Sequence, residues 1–244
     1  MKITIRDRDD FINSFLTPLS RIADSAVLKV SEEAISVIIT NADNTLAVYS
    51  QNKNVSCSGN KNLNIPDLKK LCRVLSCIDE KECTLDISGN NINFESDSVR
   101  FKYHLYEDNI IKTPKQISFD KLKEMPFDGN FTITQPVINS LIKGSTIATD
   151  TNKLYLSVKG NSVYGELTDK TRANTDSYGI KISENYKGEQ TATSLPLNFE
   201  LFRIISSTKF KDISVRMASK RGLLIFSTQT ETTDIKFIVS AIKG

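Results

Sequence analysis

The sequence predicts an α+β protein in two domains, and three observations carry that prediction. A unit made of one strand, one amphipathic helix and several further strands occurs four times along the 244 residues. The strands alternate apolar and polar positions, as antiparallel sheets with one covered face require. Between the second and third units, YEDNIIKTPKQISFDKLKEMPFDG (106–129) holds two prolines and no sustained alternation, which reads as an interdomain connection. The expected division is 1–108 for the first domain, 109–127 for the linker and 128–244 for the second.

The first unit opens with KITIR (2–6) and continues as DDFINSFLTPLSRI (9–22), whose Phe11, Phe15, Leu19 and Ile22 share one helical face. Pro18 falls within this segment, and the sequence leaves open whether it breaks the helix. VLKV, AISVIIT and NTLAVYSQ follow as strands. The second unit has NLNI (62–65), a helix over IPDLKKLCRVLSCI, and the strands CTLDIS, NINFES and VRFKYHLY. The third has NFTITQ (130–135), a helix over PVINSLIKGSTIA (136–148), then KLYLSVKG, SVYGELTD and SYGIKIS. The fourth has LPLNF (195–199), a short helix over ELFRIISSTKF (200–210), then DISVRMAS, GLLIFSTQ and DIKFIVSAI. Turns fall at SGNN (88–91) and SKRG (219–222), where glycine and asparagine tolerate the needed backbone.

Composition narrows the function classes. With 39% hydrophobic and 25% charged residues, the chain is globular rather than disordered. The start MKITIRDRDD lacks the apolar core of a signal peptide, and no apolar run approaches the roughly 20 residues of a membrane span. An intracellular protein without a membrane partner is expected, in cytoplasm or nucleus. The four cysteines, Cys57, Cys72, Cys77 and Cys83, match no common zinc spacing, and the single histidine, His104, is distant in sequence. Buried free thiols, no metal and no cofactor are expected. Without a glycine-rich phosphate loop or a paired-carboxylate signature, and with His104 on a strand lacking an evident nucleophile, the chain does not read as an enzyme.

A formal charge of +3 is too small to announce nucleic-acid binding, so any basic surface must come from segregation of charge. The helices show it. In LKKLCRVLSC (68–77), Leu68, Leu71, Cys72 and Leu75 form one face while Lys69, Lys70 and Arg73 gather on the other. Arg21, Lys143 and Arg203 stand on the polar faces of the other three helices. Small neutral residues such as Asn13, Ser14, Thr17, Asn139, Ser140, Ser206 and Ser207 fill much of the rest. Asp9, Asp10, Asp67 and Glu200 sit near helix starts, where the dipole favours them. One lysine-rich face is most often a solvated surface; recurrence on several equivalent faces favours a shared polyanion.

Four such units in two linked domains make the whole chain resemble the sliding-clamp family, specifically clamps like proliferating cell nuclear antigen (PCNA) and its viral and phage relatives. DIKFIVSAI is similar to that family's terminal strand, and AISVIITNADNTLAVYS to its strand–turn–strand segment. The linker lacks the strongly acidic character common in cellular members. The resemblance implies a two-domain DNA-clamp fold, with outer antiparallel sheets and inner helices lining a ring. Neighbouring packed helices stand about 8–10 Å apart, so twelve helices from three chains leave a hole roughly 21–28 Å across, against about 10–15 Å for two chains. Only the former admits a duplex about 20 Å wide. A homotrimer around double-stranded DNA is therefore expected, contacting phosphates without sequence preference through Arg21, Lys69, Lys70, Arg73, Lys143 and Arg203.

The resemblance also implies the remaining surfaces. Ring closure would pair SVRFKYHLY (98–106) with TDSYGIKIS (175–183) of the next chain, engaging Val99, Phe101, Tyr103, Tyr178, Ile180 and Ile182. A DNA polymerase and a clamp loader would dock by short peptide motifs on Leu46, Val48, Ile117, Phe119, Leu122, Ala241 and Ile242. The tethered polymerase would stay near its template at high effective concentration. An interaction scaffold of the same fold that does not encircle DNA, or a clamp subunit working only in a hetero-oligomer, is the alternative.

Overall fold

Alternation in the sequence becomes register in the sheets. The computed structural model describes residues 1–114, 125–189, 194–208, 210 and 212–242. The chain divides into two units, Met1–Gln116 with Gln229–Ile235, and Ile117–Thr228 with Lys236–Gly244.

In the first unit the strands are β1 (Lys2–Ile5), β2 (Ala26–Ser31), β3 (Ala34–Thr40), β4 (Leu46–Asn52), β5 (Val55–Cys57), β6 (Lys61–Ile65), β7 (Cys83–Ser88), β8 (Asn91–Glu95) and β9 (Arg100–His104). One antiparallel sheet runs β5-β1-β7-β8-β9, and β4-β3-β2-β6 lie side by side in another. In β7, Cys83, Leu85 and Ile87 are buried while Thr84, Asp86 and Ser88 face solvent, the period of two that CTLDIS displays. Gly89, with φ of 56°, turns the chain between β7 and β8 at the expected SGNN site.

Two helices cover the apolar faces. The first, α1 (8–20), consists of a turn at Arg8–Asp10, a π stretch at Phe11–Leu16 and a closing turn at Thr17–Ser20. Pro18, whose effect the sequence leaves open, sits inside that closing turn. The Thr17 N–H reaches back five residues to the Ile12 carbonyl. A wider turn just ahead of the proline relieves the clash its ring would make with the carbonyl four residues back. Asp7 caps the start, accepting from the Asp10 N–H at 2.9 Å. That bond, helped by Lys81 and Arg8, holds the Asp7 carboxyl below the usual carboxylate range.

The second helix, α2 (Leu68–Leu75), is shorter than the expected 65–78 because Ile65 ends β6 and Pro66 follows it. Its cap is Asp67, which accepts from the Lys70 N–H at 2.8 Å. Leu68, Leu71 and Leu75 are buried, and the helix packs on α1.

The segment 229–235 clusters with this unit, although 128–244 was expected as one domain. Buried Asn52 donates to Thr233 Oγ1 at 2.9 Å, and the Lys53 N–H donates to the Thr232 carbonyl at 2.8 Å. Thr232 also donates to the Asp10 carboxylate. These long-range bonds leave no trace in local pattern.

The second unit contains β10 (Gly129–Thr134), β11 (Lys153–Lys159), β12 (Ser162–Leu167), β13 (Tyr178–Ser183), β14 (Lys187–Gly188), β15 (Leu195–Asn198), β16 (Asp212–Ala218) and β17 (Leu223–Gln229). The last residue of β17 falls on the division between units, and β18 (Thr233–Ser240) crosses it. Sheet order is β14-β10-β16-β17-β18 in one sheet and β13-β12-β11-β15 in the other. Helices α3 (Gln135–Gly144) and α4 (Glu200–Ser206) pack on each other. Their extents fall short of the expected 136–148 and 200–210 at the C-terminal ends. Phe202 is the centre of this core: its ring stacks on Phe199 and meets Phe226 edge-on, each at 5.9 Å. Asn198 Oδ1 takes the Glu200 N–H at 2.9 Å at the start of α4.

Among the described residues, no helix is long and apolar enough to cross a membrane. The thiols are free, but the expectation of burial needs correction. Cys83 is buried and its thiol is pushed up to about 11 by desolvation, Cys57 and Cys72 are half-buried, and Cys77 is exposed. Cys77 follows α2 beyond its apolar face, which accounts for the exposure.

Candidate nucleic-acid interface

Helical periodicity decides where the cations go. In α2 the buried leucines face the sheets, so Lys69, Lys70 and Arg73 are turned to solvent, and all three are exposed. Arg21, one residue past α1, is exposed too. The first unit thus brings four predicted cations onto two helices that pack together. In the second unit Lys143 on α3 and Arg203 on α4 are exposed on a second packed pair, with Ile138, Leu141, Leu201, Ile204 and Ile205 buried beneath.

Lys69 and Arg203 have acidic neighbours. Lys69 Nζ lies 3.5 Å from Asp24, with both side chains well exposed. Arg203 lies 3.1 Å from Glu200 and stacks over the Phe199 ring at 5.2 Å. Exposed pairs of this kind contribute about 0–1 kcal/mol, so a polyanion competes with them readily.

The positions expected at subunit contacts divide. β9 and β13 are terminal strands of their sheets, and Val99, Phe101, Tyr178 and Ile180 are half-buried. Tyr103 and Ile182 are corrections. Their exposures are 3% and 2%: each shares a strand face with its half-buried neighbours, Phe101 or Ile180, but lies where that face is fully covered. Tyr103 has another task that sequence reasoning missed. Its hydroxyl donates to the Asp67 carbonyl at 2.7 Å and accepts from the Asp67 N–H at 3.2 Å, tying β9 to the start of the cationic helix α2. Desolvation pushes its phenol up to about 12. Tyr178 also touches a helix, since a Cβ on Gly144 at the end of α3 would collide with its ring.

The docking positions divide in the same way. Leu46 and Val48 are corrections, with exposures of 6% and 0%: both point inward from β4 and offer nothing to a partner. Ala241 and Ile242 are half-buried, held by backbone bonds to Gly222 and Pro196. Ile117, Phe119 and Leu122 lie outside the described residues. The first unit instead shows a groove of about 340 Å³ lined by Ala23, Val27, Ile38, Tyr106, Ile110 and Ile111 among others. Tyr106 and Ile110 are 45% and 56% exposed. Asn64 anchors this segment, its carbonyl taking the Tyr106 N–H at 2.9 Å and its amide donating to Asp108 at 2.8 Å. The apolar character of NII (109–111) was the available signal.

Among the described residues, no group of three or more His, Cys, Asp or Glu is placed to hold a metal ion. His104 is exposed on β9.

No family model matches the sequence, and no curated protein matches it. Solved structures do match. PCNA from Entamoeba histolytica aligns over 99% of this chain and 98% of its own, with a TM-score of 0.77 at 13% identity. A chain from a structure described as the C-terminal region of FEN-1 bound to A. fulgidus PCNA aligns over 100% of this chain and 99% of its own, with a TM-score of 0.79 at 9% identity. The fold is that of PCNA-like clamps along the full chain.

Proposed function

We propose that the chain is a DNA sliding clamp, three copies of which close into a ring around duplex DNA and tether replication proteins to it. The observation that carries the reading is the exposure of cations on the helix pairs of both units, Arg21, Lys69, Lys70 and Arg73 in one and Lys143 and Arg203 in the other. The clamp fold over the whole chain supports it. Phosphates repeat along any sequence, so contacts confined to them change little in energy from one position to the next. Retention then depends on enclosure rather than on affinity, and the protein needs no catalytic group of its own. The terminal strands β9 and β13, at the ends of their sheets among the described residues, are the surfaces for head-to-tail closure.

Partner proteins dock in the groove of the first unit. A short peptide with an apolar anchor fits between Tyr106 and Ile110 and the floor at Val27 and Ile38. A polymerase and a loader are the partners proposed. The neighbour whose structure carries a C-terminal region of another protein supports a segment of this kind.

A second reading, a scaffold of the same fold that does not encircle DNA, draws on the ion pairs of Lys69 and Arg203, which temper the positive faces. One experiment separates the two. Protein loaded on nicked circular DNA should stay bound through gel filtration and leave when the circle is linearised. Equal loss from circle and linear form would reject the ring, as would a solution mass of a single chain at micromolar concentration.

A further inference from the structure

The sheet β13-β12-β11-β15 buries Leu154, Leu156 and Val158 of β11 and Val163 and Leu167 of β12. The alternate residues Tyr155, Ser157, Tyr164 and Glu166 therefore share the opposite, half-exposed face. Tyr155 stands opposite Glu166 and Tyr164 opposite Ser157. The tyrosines are thus diagonal neighbours on the two central strands, about 7–8 Å apart.

Cations surround them. Lys170 Nζ lies over the Tyr155 ring at 4.6 Å, and Lys159 Nζ over the Tyr164 ring at 5.8 Å. Lys181 stands opposite Tyr164 on β13, and Lys153 shares the Tyr155 face of β11. Three acids temper this charge: Glu166 pairs with Lys170 at 2.9 Å, Glu184 with Lys181 at 2.7 Å, and Asp169 with Lys153 at 3.7 Å.

The geometry points to single-stranded nucleic acid as the ligand of this face. Two adjacent aromatic rings on a four-stranded antiparallel sheet, rimmed by lysines, can take up two successive unstacked bases while the ammonium groups meet the phosphates. The lysines now over the rings do not block this. Stacking of a base on an aromatic ring outweighs an exposed cation–π contact, and a displaced lysine arm reaches the backbone. Duplex DNA leaves the rings nothing to stack, because its bases already stack on each other. An acidic peptide would use the lysines and ignore the rings. The inference therefore stands apart from duplex binding at the helices.

Fluorescence anisotropy with a labelled oligo-dT tests it on the full chain, with a labelled duplex of equal length as control. Tyr155→Ala with Tyr164→Ala should weaken oligo-dT binding by at least about tenfold. Tyr155→Phe with Tyr164→Phe should retain it, and duplex binding should change in neither double variant. Circular dichroism melts of both variants check folding, and the phenylalanine pair keeps the test valid if the alanine pair unfolds. Oligo-dT affinity equal in wild type and the alanine variant would overturn the proposal. Failure of wild type to bind oligo-dT would overturn it too, as would displacement of oligo-dT by poly-glutamate at equal charge.

Discussion

The helix pairs of the two units both present exposed cations, but they are held in place by different means. In the first unit, α2 carries three exposed cations within eight residues and is capped by a side chain, Asp67, whose backbone is itself gripped by Tyr103. In the second, α3 and α4 carry one predicted cation each, and neither cap residue, Thr134 or Phe199, makes a side-chain capping bond. Asn198 bonds the start of α4, which rests mainly on the aromatic cluster of Phe199, Phe202 and Phe226, and α3 packs on α4. A charged face held by polar bonds contrasts with a sparser face held by packing. The two kinds of support fail under different perturbations.

The largest expected effect is on the packed side. Phe202→Ala should destabilise the protein by about 3–5 kcal/mol, because a fully buried ring leaves a cavity between two others. A urea midpoint hardly changed from wild type would show that α4 does not depend on that cluster.

Next comes the alkaline limb of the first unit. The Tyr103 phenol is pushed up to about 12 from 10.0, so the unfolded chain ionises first. Its contribution is fully present below pH 10 and disappears as pH rises toward 12, amounting to about 2–3 kcal/mol. Melting temperature against pH should fall more steeply there in wild type than in Tyr103→Phe. Parallel curves would remove the phenol from the account.

The charge comparison predicts unequal salt dependence. Replacing Lys69, Lys70 and Arg73 with alanine should flatten the slope of log affinity against log salt for duplex DNA by about 2.7, and replacing Lys143 and Arg203 by about 1.8. The reverse order would move the main phosphate contacts to the second unit. Smallest is the cap: Asp67→Ala should cost about 1 kcal/mol in chemical denaturation. A loss several times greater would mean that the Tyr103 bonds to Asp67 fail with it.

Legibility followed the range of the interactions. KLYLSVKG and CTLDIS appear as the strands they are, and the face of α2 that bears Lys69, Lys70 and Arg73 is exposed as its spacing predicts. By contrast, β5 and β14 span only three and two residues, too few for a period to register. The π stretch ahead of Pro18 depends on how α1 accommodates one missing N–H. Leu46, Val48, Tyr103 and Ile182 are more buried than a docking or contact surface requires. Each strand was read correctly, but which faces, and which positions along a face, are covered depends on neighbours distant in sequence. The groove at Tyr106 and Ile110 also arises only when Ala23, Val27 and Ile38 converge on it.

Residue order alone determined the periodicities, the turns and the sorting of charge along each helix, since these depend on neighbours within one turn or one strand. Tertiary structure decided which strand faces are hidden, where 229–235 is anchored, and how Tyr155 and Tyr164 come to share a surface with four lysines. Those outcomes are set by hydrogen bonds and packing between residues far apart in the chain, which no local pattern encodes.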